Sequence, residues 1–105
     1  MSAPMSANLS AAQLVNYNWT PDATFGGHGT VKWNAEVKNV SDRPIASVKV
    51  DLTTYDASGH LLASSFTFVN AIPPGETRST ESFADYFGNE AKADAVISEV
   101  RFEGN

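Results

Sequence analysis

The chain has 105 residues, 12 acidic and 7 basic side chains, a formal net charge of −5 and 42% hydrophobic residues. That length fits one core, the apolar share excludes wholesale disorder, and no run approaches the roughly 18–20 apolar residues of a membrane-spanning helix. No cysteine is present, which excludes disulfides, thiol nucleophiles and Cys-ligated metals; the few scattered bases do not make the positive surface that nucleic acid requires.

Residues 1–11 are small and polar, with neither a basic nor an apolar leader segment. They are expected to form a mobile lead-in without function, ahead of a single domain over 12–105. From there the dominant signal has period two. Val15, Tyr17 and Trp19 alternate with Leu14, Asn16 and Asn18 in a first strand that Thr20-Pro21-Asp22 should close. The loop Phe25-Gly26-Gly27-His28-Gly29 leads into a second strand, where Val31, Trp33, Ala35 and Val37 alternate with Lys32, Asn34, Glu36 and Lys38. Asn39 to Pro44 is turn chemistry with a proline that forbids helix, followed by a strand holding Ala46, Val48, Val50 and Leu52. Asp56-Ala57-Ser58-Gly59 is a tight turn into a strand from Leu61 to Val69, with Leu62, Phe66 and Phe68 expected on one buried face. Pro73-Pro74-Gly75-Glu76 turns the chain into Thr77–Phe83. Ala84–Asp94 loses the alternation, with one helical turn expected at Asn89–Ala93, and the last strand is Ala95–Phe102, with Val96, Val100 and Phe102 on one side.

Strands of this size, broken by frequent turns, predict an all-β fold: an immunoglobulin-like two-sheet antiparallel sandwich of six to seven strands. Its expected core is Val15, Tyr17, Trp33, Ala35, Val37, Val48, Val50, Leu52, Leu62, Phe66, Phe68, Val96, Val100 and Phe102. Charge is unequal along it. Residues 1–50 carry four bases and three acids (+1), and residues 51–105 three bases and nine acids (−6), dispersed as on a solvated flank.

The stretch from Trp33 to Thr77 resembles the FxLYD domain, a small bacterial immunoglobulin-like module found mainly in exported and envelope proteins. The resemblance rests on Val37-Lys38-Asn39-Val40-Ser41, on Val48 through Tyr55-Asp56-Ala57-Ser58-Gly59, on Leu61-Leu62-Ala63 and on Ile72-Pro73-Pro74-Gly75-Glu76. Leu52 stands where the family has Phe, and Thr54 where it has Leu. The resemblance implies a fold and an extracytoplasmic setting, and it supplies no catalytic residue.

Site chemistry is sparse. His28 and His60 have no second ligand at metal spacing, and no Gly-x-Ser-x-Gly elbow accompanies Ser64 or Ser65. Gly26-Gly27-His28-Gly29 precedes a strand rather than a helix, unlike a phosphate-cradling loop. Asp22, Asp42 and Asp56 offer oxygens to calcium if one end of the sandwich gathers them, yet each also sits where Asp favours a turn. No cofactor or metal is expected. Among the 11 aromatics, Trp19, Tyr86 and Phe87 lie near element ends and are the expected ligand or partner surface. These readings add up to a non-enzymatic module that contacts a protein partner through the loops Asp22–Gly29 and Ala84–Asp94 or through a sheet edge. Carbohydrate binding through exposed aromatics is one alternative, and a loop presented to a hydrolase as an inhibitor is another.

Overall fold

The computed structural model describes residues 9–25 and 28–104, and over 21–25 and 28 the backbone placement alone. Six strands follow in chain order: β1 (Ala12–Phe25), β2 (His28–Asn39), β3 (Ile45–Tyr55), β4 (Leu61–Ile72), β5 (Thr77–Tyr86) and β6 (Lys92–Phe102). They form two three-stranded antiparallel sheets, ordered β1-β2-β5 and β4-β3-β6, the two-sheet sandwich that the alternation predicts. The segment after Asn39 is therefore a corner that carries the chain from one sheet to the other. The central strands read cleanly wherever inward parity is unbroken, which excepts the start of β3: a register shift between Ile45 and Ser47 buries Ile45 and not Ala46. Val31, Trp33, Ala35 and Val37 of β2 and Val48, Val50 and Leu52 of β3 are all buried.

The edge strands differ from expectation where bulges shift the parity. A register break between Leu14 and Asn16 turns Val15 outward (51% exposed) and packs Leu14 on the core. In β6 the extra residue at Ser98 does the same: Val96 faces solvent while Ile97, Val100 and Phe102 face inward. In β4, Phe66 and Phe68 are 56% and 41% exposed, and the inward positions opposite β3 hold Ser65 and Val69. Ala71 adopts a positive φ of 56°, and the next residue, Ile72, is completely buried.

Element boundaries also move. β1 runs through Thr20-Pro21-Asp22 to Phe25, which pairs with His28, so Gly26 and Gly27 alone separate the two strands and lie outside the described residues. β6 begins at Lys92, leaving Phe87–Ala91 as a short irregular loop without the expected helical turn. The expected lead-in falls mostly outside the described residues. Of its last part, Leu9 packs against the core and Ala11 is buried, its carbonyl accepting the Val40 N–H at 2.9 Å.

Two polar arrangements join the sheets. The indole N–H of Trp33, 1% exposed, donates to Ser65 Oγ at 3.3 Å, and that hydroxyl donates to the Phe83 carbonyl at 2.8 Å. Ser82 of β5 donates in return to the Phe66 carbonyl of β4 at 3.3 Å. The seam between β4 and β5 is thus stitched through serine hydroxyls.

The second arrangement is centred on Asn39, which is fully buried. Its Nδ2 donates to the carbonyls of Arg43 (2.7 Å) and Ile72 (2.9 Å), and its Oδ1 accepts from the Ser41 N–H (2.9 Å) and hydroxyl (2.6 Å). The Asn39 backbone bonds Glu76 and Gly75, both at 2.9 Å. Gly75 can make that contact because it sits at φ +79°, a conformation costly for any residue with a Cβ. One side chain therefore ties the β2–β3 corner to the β4–β5 corner.

Asn39→Ala removes four hydrogen bonds and leaves the buried Ile72 carbonyl without its donor, while the Ser41 hydroxyl keeps the Arg43 carbonyl at 3.1 Å. The expected loss is about 2 kcal/mol of unfolding free energy in urea titration. The opposite sign is expected at Thr54. Its Oγ1 is buried without a hydrogen-bond partner among the described residues, so Thr54→Val removes a desolvated hydroxyl at nearly constant volume and should stabilise by about 1 kcal/mol.

Candidate functional site

Two hydrogen-bonded loops meet the solvent at the end of the sandwich where β3 and β5 finish and β4 and β6 begin. Asp56 orders the first. Its Oδ1 accepts the N–H groups of Ser58 and His60, both at 2.9 Å, and its own N–H donates to the His60 carbonyl at 3.0 Å. His60 Nδ1 stands 3.4 Å from Asp56 Oδ2, with its ring largely in solvent. The His60 N–H bond is the largest influence on the Asp56 carboxyl and lowers it below its ordinary 3.8; desolvation opposes this, and the Ser58 N–H bond adds to it.

The second is the Phe87–Ala91 loop. The Glu90 carboxylate accepts the N–H of Phe87 at 2.7 Å and of Gly88 at 2.9 Å, and Ala91 N–H donates to the Tyr55 carbonyl at 2.8 Å. Lys92 stands 5.4 Å from the centre of the Tyr55 ring. The loop is thereby braced at both ends, and Phe87 projects from it, 61% exposed. Leu61, which opens β4 at this same end, is equally exposed.

Of the three residues singled out in the sequence, Tyr86 and Phe87 lie together here, Tyr86 half-buried on the inward parity of β5. Trp19 stands apart. It pairs with Trp33, packs half-buried against the core, and shares its row with Ser82 of β5. Ser82 to Phe87 is roughly 16 Å of extended chain, so the three side chains do not form one platform.

The calcium candidates are likewise divided. Asp42 precedes β3 and Asp56 follows it, eleven strand residues apart, and Asp56 already accepts two backbone N–H groups. The side chains of Asp22 and His28 lie outside the described residues. No group of three metal-ligating side chains occurs among the described residues, and no described helix is long and apolar enough to cross a membrane. Two shallow open grooves mark the outer faces. One, of about 340 Å³ on β1-β2-β5, has Glu81 as its one carboxylate, and the other, of about 310 Å³ on β4-β3-β6, has Asp51. Neither presents the carboxylate pair that glycoside hydrolysis requires.

Sequence reasoning missed Phe66 and Phe68 as surface residues, and it missed Glu90 as the brace of the Phe87 loop. A signal for the latter was present in the acid placed two and three residues after Gly88 and Phe87, within reach of both N–H groups.

Because the folded Asp56 value is depressed, its charge contributes stability above the unfolded pKa, and that contribution is lost as pH falls through the folded value. Asp56→Asn keeps the turn acceptor without the charge. The gap in unfolding free energy between wild type and this variant should be flat above about pH 5 and narrow below about pH 4. A gap independent of acidification would show that the charge is irrelevant to the turn.

No protein-family model matches the chain, and no curated protein matches it. Among solved structures it is similar to part of a beta-glucuronidase from glycoside hydrolase family 2, with a TM-score of 0.63 and 14% sequence identity. The match covers 81% of this chain and spans 10% of that one. At this identity the likeness is one of fold: an all-β sandwich of a kind that also occurs inside a much longer chain.

Proposed function

We propose that the protein is a non-catalytic immunoglobulin-like interaction module of an exported or envelope bacterial protein, working through protein–protein contact at the Phe87 end of the sandwich. The observation that carries this reading is an exposed phenylalanine on a loop whose N–H groups are already fixed by Glu90. An aromatic anchor held out to water on a braced loop loses little conformational freedom on binding. The resemblance to FxLYD domains supports the exported setting.

Loop contact is favoured over strand addition by the sheet edges themselves. β1 carries a bulge at Val15 and a proline at Pro21, and β6 carries a bulge at Ser98. Bulges and prolines are devices that discourage a further strand from pairing. β4 and β5 face each other across the serine seam.

The test compares proteins retained from the source envelope fraction by wild type and by Phe87→Ser. A specific retained protein lost in the variant, at unchanged melting temperature, is the expected outcome. Identical retention by both chains rejects the loop as the contact. A saturable change of tryptophan fluorescence with a polysaccharide, the same in both chains, would support carbohydrate binding instead.

A further inference from the structure

The outer face of the β4-β3-β6 sheet combines exposed apolar side chains with balanced charge. Register places its outward residues in rows across the three strands. Phe68, Lys49 and Glu99 form one row, and Phe66, Asp51 and Val96 form the next. Flanking these, Arg101 lies in the row of Ser47 and Asp94 in the row of Thr53. Phe66, Phe68 and Val96 are 56%, 41% and 57% exposed, the two phenylalanine rings meeting edge to face at 5.9 Å. Lys49 Nζ lies 4.8 Å from the Phe66 ring centre and 3.9 Å from Asp51.

The face carries Lys49, Lys92 and Arg101 against Asp51, Asp94 and Glu99, a sum of zero, so the whole net charge of −5 resides elsewhere. Two copies of this chain repel one another least through this face.

The rows are also self-complementary. Consider a two-fold axis lying between two such faces, running across the strands midway between the Lys49 and Asp51 rows. It exchanges those two rows. Each Lys49 then faces Asp51 of the second copy, each Phe66 faces Phe68, and one row further out each Arg101 faces Asp94, while at the β6 edge Glu99 comes opposite Val96, where the carboxylate keeps its water at the rim. Three kinds of contact are thus satisfied by one operation, as an isologous interface requires, and face-to-face packing of sheets is an ordinary way to bury such surfaces. We propose that the outer face of the β4-β3-β6 sheet is a homodimer interface whose occupant is a second copy of the same chain. It shares no residue with the Phe87–Ala91 loop, so failure of either reading leaves the other standing.

Sedimentation and light scattering of the full chain, at concentrations rising into the submillimolar range, test the proposal. Wild type is expected to dimerise. Asp51→Lys places lysine opposite lysine twice per dimer and should weaken association by roughly a hundredfold. Because the axis exchanges the rows, the double swap Lys49→Asp/Asp51→Lys should restore it. An equimolar mixture of Lys49→Asp chains with Asp51→Lys chains should pair where neither does alone, and this decides the matter whether or not the double variant folds. A wild type that stays monomeric throughout, or a mixture that fails to pair, overturns the proposal.

Discussion

The indole of Trp33 governs how the two sheets meet. It is the largest completely enclosed side chain of a sandwich that has no disulfide to hold its layers. Its N–H must find an acceptor once removed from water. The acceptor is Ser65, on the inner side of β4. The same oxygen passes its own proton to the backbone of β5. A single buried ring thereby sets the polarity of a neighbouring strand: β4 turns serine inward and its phenylalanines outward, the reverse of what hydrophobicity alone prescribes.

That inversion marks the boundary of what was legible in the sequence. Strand β2, and β3 from Val48 onward, keep strict alternation, and their buried sides were correctly read there. At the start of β3 an extra residue opposite β6 buries Ile45 in place of the expected Ala46. Turn chemistry at Asn39–Pro44, Asp56–Gly59 and Pro73–Glu76 was equally plain, since Asx turns, proline and glycine act locally. Val15 and Val96 were misassigned because a bulge depends on the partner strand's register, which a single strand does not encode. Phe66 and Phe68 were misassigned because the demand for Ser65 comes from Trp33, 32 residues earlier in the chain. The same limit applies at the candidate site. Phe87 was identified as an end-of-element aromatic, whereas the separation of Trp19 from it follows from the order β1-β2-β5 and has no local signature.

Electrostatics sorts the surface into regions with different uses. Exposed pairs such as Lys32–Glu81 and Arg78–Glu76, both at 3.4 Å, are of the kind worth little to stability. The acidic excess, concentrated after Tyr55 in the sequence, is not spread evenly in space. It gathers in the corners and end loops, where Asp42, Asp56, Glu76, Glu90 and Glu103 stand against Arg43, and leaves the two sheets close to balance. A module built this way stays soluble through repulsion while retaining a surface on which contact is not penalised.

The corner held by Asn39 has one more consequence. Asn39-Val40-Ser41 is an acceptor sequence for N-linked glycan. The nitrogen that would carry the sugar is Nδ2, the atom that donates to Arg43 and Ile72, and the serine that completes the sequence donates to Oδ1 of the same side chain. Modification and folding therefore compete for one atom. In a glycosylating secretory pathway, a chain modified at Asn39 before its corner closes could not form this structure, whereas a chain already folded presents no acceptor there.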